Sequence, residues 1–267
     1  MTTANRVAET VETIRGCRVR MMRKGAGAPL LFLHGASGTA RWLPFMDRLA
    51  QSFDVIVPEH PGFGGSDMPD WLDTISDMAY HYLDLIAHLG AGPTHFAGTS
   101  LGGWIAAEMA VRDVSPIRSL TLVAPAGMHV AGIKRPDMVL MSPEELAPNL
   151  VHAPALAAAM PQPQTEVAVM TMLKNRLATA KLGWSPRMHN PDLRKWLHRA
   201  AVPAQIVWGA EDRLLPVAYA AEWKRLMPHA GLTVLPDCGH LPHIEKVDAF
   251  VNTLQSFLAR DAMQGAL

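Results

Sequence analysis

Between a short β-prone run at residues 94–97 and an unbroken helix-forming run at 104–110 lies Gly98-Thr99-Ser100-Leu101-Gly102-Gly103. Few stretches restrict a fold more. A strand that turns directly into a helix leaves no space for side chains at the positions two before and two after the turn, and glycines stand at both. Such a turn lifts the serine hydroxyl above the edge of a sheet. It also places the next amide, that of Leu101, at a helix start, where it can point at a developing oxyanion. A serine that merely caps a helix satisfies the same short pattern. The two readings part on whether the chain supplies a base, an acid and a second oxyanion donor.

The rest of the chain alternates strands with helices. Residues 9–15 and 17–23 are β-prone runs meeting at Gly16, a hairpin pattern. Residues 30–33 and 54–57 are continuous apolar runs, as in strands buried on both faces. After the first of these comes the small-residue loop His34-Gly35-Ala36-Ser37-Gly38, which lets backbone approach a ligand. Residues 41–51 are expected to be a short helix, and 58–66 a turn-rich loop. Amphipathic spacing over 73–89, ending at Gly90, predicts a helix, and 117–123 a strand. Alternation of this kind implies an α/β fold with a mostly parallel sheet covered on both faces. Ligands of such sheets bind beyond the carboxyl ends of the strands.

From 128 to 184 the alternation lapses. Ser142-Pro143-Glu144-Glu145 opens a helix with a capping serine, proline at the first helical position and acids in the first turn. A second helical run covers 165–182. With no strand between them, residues 128–184 read as a helical cap subdomain inserted into a core domain of 1–127 and 185–267. Asn190-Pro191-Asp192 opens another helix to about 199. Strands follow at 204–208 and 232–235, and a last helix at 247–259.

Composition removes several classes of partner. Lys plus Arg equals Asp plus Glu, 24 of each, with no basic run, so neither nucleic acid nor a membrane surface is expected. Residues 1–15 have no apolar signal-like core, and no apolar run approaches bilayer length. Cys17 and Cys238, the two cysteines, fit no metal or redox spacing, and Cys238 reads as a buried structural thiol. A cytoplasmic monomer or homodimer without metal or organic cofactor is the expectation.

Two late strands end in residues suited to activating a serine. Gly209-Ala210-Glu211-Asp212 follows the first, and Pro236-Asp237-Cys238-Gly239-His240 the second. A serine hydroxyl needs a base to take its proton, and the base needs a carboxylate to fix its tautomer. Ser100, Asp212 and His240 each lie just past a strand, in a chain order that esterases share. Asp237 reads as a turn residue and Glu211 as a neighbour pointing elsewhere. His34 is expected to shape the loop presenting Ala36. His60 and His243 are pocket-lining or solvated.

With His34-Gly35, Pro61-Gly62-Phe63-Gly64, the Ser100 turn, Trp208-Gly209 through Asp212 to Pro216, and Gly239-His240, the sequence resembles the α/β-hydrolase superfamily over nearly its whole length. The resemblance implies an eight-stranded sheet with the second strand antiparallel, and a cap after the sixth. It implies Ser100 as nucleophile, His240 as base, Asp212 as acid, and the Ala36 and Leu101 amides as oxyanion donors. Relatives often carry proline two residues after the glutamate matching Glu245; this chain has Val247.

These features together predict a serine hydrolase of small to medium apolar esters. Gly35, Met138, Met141, Trp184 and Leu241 are the candidate substrate contacts, the methionine-rich cap roofing the cleft. No arginine pair stands out to receive a carboxylate on the acyl side. Alternatives are a carbon–carbon bond hydrolase of ring-cleavage diketo acids, a lactonase, and a small-molecule receptor on the same scaffold. Against the first, relatives of that type commonly have asparagine and tryptophan where this chain has Thr99 and Leu241.

Overall fold

A computed structural model describes residues 6–264; the outer ends of the expected core domain, 1–5 and 265–267, lie outside the described residues. Eight strands form one sheet: β1 (Ala8–Ile14), β2 (Cys17–Lys24), β3 (Ala28–Leu33), β4 (Phe53–Pro58), β5 (Thr94–Thr99), β6 (Ile117–Val123), β7 (Ala204–Gly209) and β8 (Gly231–Leu235). Ten α-helices accompany them among the described residues. They are α1 (Pro44–Leu49), α2 (Ile75–Leu89), α3 (Leu101–Arg112), α4 (Pro143–Leu150), α5 (Pro154–Ala158), α6 (Glu166–Gly183), α7 (Leu193–Trp196), α8 (Ala218–Leu226), α9 (Pro242–Glu245) and α10 (Val247–Gln264).

The strand order is β1-β2-β4-β3-β5-β6-β7-β8. β2 runs antiparallel to both β1 and β4, and the remaining pairs are parallel. Successive side chains of a strand face opposite ways. Leu31 and Leu33 therefore join one core with helices α2 and α3, while Leu30 and Phe32 join a second with α1 and α10. Burial on both faces explains why these runs are apolar without alternation. Each large apolar side chain so buried contributes about 1.5–3 kcal/mol to holding the layers together.

Topology decides where chemistry can sit. From β3 the chain crosses to β4 on one side, whereas β5 leads on to β6 on the other. The crevice between β3 and β5 is thus a switch point, where open parallel sheets hold their ligands. Leu33 pairs with Gly98, which brings the loop after β3 beside Ser100. On the far side Gly209 pairs with Leu235, so the loops carrying Asp212 and His240 also leave the sheet together.

Local sequence accounts for most element ends. Thr74 and Ser142 close reciprocal caps with Asp77 and Glu145, and the Thr165 side chain accepts the Ala168 N–H. The helix expected over 41–51 is shorter, because Leu43 precedes a proline and is held extended at φ −106°, ψ 154°; helix starts only at Pro44. The one expected from Asn190 begins at Leu193 and ends in a 3-10 turn at Leu197–Arg199. α5, α8 and α9 were not anticipated. Four helices among the described residues, α4 to α7, stand between β6 and β7, and α4 to α6 fall within residues 128–184. No helix among the described residues is long and apolar enough to cross a membrane. Cys17 and Cys238 are free and buried.

Candidate active site

Ser100 sits between β5 and α3 at φ 53°, ψ −113°, a strained conformation for a residue with a side chain. Backbone contact enforces it. A Cβ on Gly98 would lie 2.4 Å from the Gly102 carbonyl oxygen, and one on Gly102 only 2.1 Å from that of Leu33. The spacing of the glycines is thus a packing requirement between β5, α3 and β3. The Ser100 N–H donates to the Val123 carbonyl (2.9 Å), and its own carbonyl accepts from Trp104 and Ala126 (both 3.0 Å).

His240 and Asp212 are joined. The His240 Nδ1–H donates to Asp212 Oδ2 at 2.7 Å, with both side chains essentially inaccessible to solvent. The other carboxylate oxygen accepts the Leu214 and Leu215 N–H groups, at 2.9 and 2.8 Å. Asp212 is thereby fixed as an acceptor, so Nδ1 carries the proton and Nε2 is left with its lone pair. That Nε2 is buried and has no hydrogen-bond partner among the described residues. His240 and Ser100 line the same cavity. The serine hydroxyl does not yet bond to Nε2; such contacts commonly tighten only when substrate is held. Glu211 and Asp237 do not take part in the pair with His240.

The loop after β3 lies directly against the serine. A Cβ on Gly35 would stand 3.4 Å from that of Ser100. Ala36 follows, and neither its N–H nor that of Leu101 is used in a hydrogen bond among the described residues. Leu101 is the first residue of α3, where helix geometry leaves the N–H free.

Three buried side chains hold this loop in place. His34 Nδ1–H donates to the Gly35 carbonyl (2.7 Å), and its Nε2 accepts the His60 N–H (3.0 Å). His60 Nε2–H donates to the His34 carbonyl (2.8 Å), and its Nδ1 accepts the Tyr82 hydroxyl proton. Carbonyls only accept, so each ring is held as one neutral tautomer. Burial pushes His34 down to about 4 and His60 well below its ordinary value. His60 is neither solvated nor pocket-lining. His243, also buried, packs against Phe32 and Phe45 and lines the Ser100 cavity; burial and the neighbouring His240 bring it to about 3.

Around the serine the cavity measures about 130 Å³ and includes Gly35, Met138 and Leu241 in its wall. A second of about 610 Å³ opens between the Ala36 loop and the helical insertion. Ala36, Ser37, Met138, Leu150 and Met160 belong to both walls, so the two spaces adjoin. Trp184 has to be corrected: it is 58% exposed, stacks under the Arg187 guanidinium at 4.1 Å and lines neither cavity. Met141 likewise lines neither; its carbonyl accepts from Arg176.

Arg176 and Asn175 escaped the sequence reading. Asn175 ties α6 to the core, donating to the Ser37 carbonyl and accepting the Gly64 N–H, each at 2.9 Å. Arg176 lines the larger cavity, a single arginine where the sequence offers no arginine pair. The only signal available was the polar run Lys174-Asn175-Arg176 in the middle of a helix that is apolar on either side of it. Among the described residues no cluster of three or more His, Cys, Asp or Glu is arranged to hold a metal ion.

A strained serine between glycines, a histidine oriented by a buried carboxylate and two free amides at the switch point define a hydrolase-type site. The model of the alpha/beta hydrolase family matches residues 30–253, and the chain belongs to that family. Similar proteins include the dihydrolipoyllysine-residue acetyltransferase component of the acetoin cleaving system of Cupriavidus necator, 29% identical over 92% of this chain and 67% of that protein. Lipase 1 of Psychrobacter immobilis is 26% identical over 87% of this chain and 77% of its own. Among solved structures, 2-hydroxy-6-oxo-6-phenylhexa-2,4-dienoate hydrolase from Rhodococcus superposes with a TM-score of 0.79 at 20% identity, covering 95% of this chain and 99% of that one. That likeness concerns the fold.

Proposed function

We propose that this chain is a serine hydrolase of small to medium apolar carboxylic esters. The observation that carries the reading is the buried, unpartnered Nε2 of His240, whose ring is fixed by Asp212 and which lines one cavity with Ser100. Ser100 Oγ attacks the ester carbonyl while Nε2 takes its proton. The carbonyl oxygen becomes an oxyanion facing the Ala36 and Leu101 amides. Collapse of this intermediate expels the alcohol, which receives the proton from His240, and leaves an acyl-enzyme. Water, losing a proton to His240, attacks the acyl carbonyl, and Ser100 leaves with that proton. Lipase relatives at 26% identity agree with this class of reaction.

The insertion of residues 128–184 acts in this reading as a cap over the cleft. Its wall of Met138, Leu146, Leu150, Met160 and Met172 suits an apolar acyl chain. A second reading, hydrolysis of a carbon–carbon bond in a substrate bearing a carboxylate, gains from Arg176. Part of that guanidinium is already committed to the Val139 and Met141 carbonyls, which favours the apolar reading. A chromogenic ester series from acetate to decanoate, with one succinate half-ester, separates the two. Each fitting methylene should add at most about 1–3 kcal/mol of discrimination, followed by a fall once the space is full. A strong preference for the half-ester that is lost in Arg176→Met would overturn the apolar reading.

A further inference from the structure

The loop that carries His240 is held from outside the sheet. His240 donates its backbone N–H to the carbonyl of Leu150, the last residue of α4, at 2.8 Å. Its neighbour Gly239 donates to Glu245 Oε2 at 2.6 Å. That same oxygen accepts the His152 N–H (3.0 Å), and Oε1 accepts the Ala153 N–H (2.7 Å). Residues 151–153 form the joint between α4 and α5. One carboxylate therefore fastens three amides, one beside His240 and two in the helical insertion.

The approach of the two segments is backbone on backbone. A Cβ on Gly239 would stand 2.8 Å from Val151 Cα, Val151 C and the His152 nitrogen. Glu245 closes α9 only five residues after His240, so its side chain reaches back over its own loop. An ionised carboxylate suits this place because its two oxygens accept all three N–H groups. A glutamine offers one acceptor oxygen and turns an NH₂ toward the third donor. The Leu150 side chain lines both cavities while its carbonyl holds His240.

From these contacts we infer that Glu245 is a positioning residue, which sets the place of His240 by fastening its loop to the α4–α5 joint of the insertion. The inference rests on His240 being the base of the proposed reaction. It makes the base and the roof of the cleft one mechanical unit. The imidazole is in register with Ser100 only while the joint is seated.

The test compares Glu245→Ala, Glu245→Gln and Ala153→Pro with the parent in the full chain. Ala153 has φ −71°, within the range proline fixes, so that change removes one donor at a φ the backbone already has. Three readouts are taken: the rate of inactivation by a fluorophosphonate, kcat and KM on 4-nitrophenyl butyrate, and the rate on methyl butyrate. Misplacing a catalytic group by about an ångström can cost about 10²-fold, and Glu245→Ala should approach that in kcat and inactivation rate, with KM within about twofold. Glu245→Gln should fall between, and Ala153→Pro should lose less in the same direction. Methyl butyrate should suffer more than the nitrophenyl ester, because its poor leaving group needs the proton that His240 returns. Should Glu245→Ala fail to fold, the other two variants give the same ordering. Parent-like rates in all variants, or a raised KM with an unchanged ratio between the two esters, would overturn the positioning role. A parent chain that neither labels nor turns over any ester would instead overturn the base assignment beneath it.

Discussion

Acid should unfold this protein earlier than its neutral charge balance suggests, and the buried histidines set the size of the effect. Burial lowers His34 and His81 from 6.5 to about 4 and His243 to about 3, with His60 also well below its ordinary value. For His34 the hydrogen-bond pattern leaves no room for a second ring proton, since its Nε2 faces a backbone N–H that can only donate. A histidine held neutral when folded binds its proton more readily when unfolded, so stability is full well above pH 6.5 and falls as pH drops toward the folded value. Between pH 7 and pH 5 each such group costs about 2 kcal/mol. His34, His81 and His243 together cost about 6 kcal/mol, and His60 adds to the loss in the same direction. That is a large share of the roughly 5–15 kcal/mol that holds a typical domain folded. Urea unfolding followed by tryptophan fluorescence at pH 7, 6 and 5 measures it directly. The midpoint should fall steeply with each step, most of the loss lying below pH 6. A midpoint level between pH 7 and 5 would show that these rings are not held neutral, and would refute the network described around the Ala36 loop.

Asp212→Asn should lower the chemical step by roughly 10⁴-fold, as the amide forces the wrong histidine tautomer, while Glu211→Gln and Asp237→Asn change turnover little; steady-state kinetics on one ester decides. A crippled Asp237→Asn would move the acid to the other loop. Ala36→Ser should retain activity and Ala36→Pro should lose about 10²–10³-fold in kcat, because only the proline removes an oxyanion donor. A fully active proline variant would take Ala36 out of that role.

Features that act locally were readable along the chain. Glycines flanking Ser100 mark a turn too tight for side chains, and Ser142 with Glu145 writes a helix start in four residues. The strand runs were legible because burial on both faces demands unbroken apolar sequence. Other parts depend on contacts between distant segments. Trp184 and Met141 carry pocket-like side chains, but Trp184, just past α6, is exposed, and Met141, in the loop before α4, meets Arg176 through its carbonyl. Asn175 and Glu245 look like ordinary polar residues until the fold brings residues 37, 64, 152 and 239 against them. The short helix α9 has only four residues, too few for a period to show.

In the proposed reaction Ser100 is the nucleophile, made reactive by His240 and Asp212. Mass spectrometry after exposure to a fluorophosphonate tests it most directly. One equivalent of phosphonate should attach to the parent chain on the peptide bearing Ser100, none to Ser100→Ala, and the same single adduct should form far more slowly on Asp212→Asn. Full labelling of Ser100→Ala, or an unlabelled parent, would contradict it.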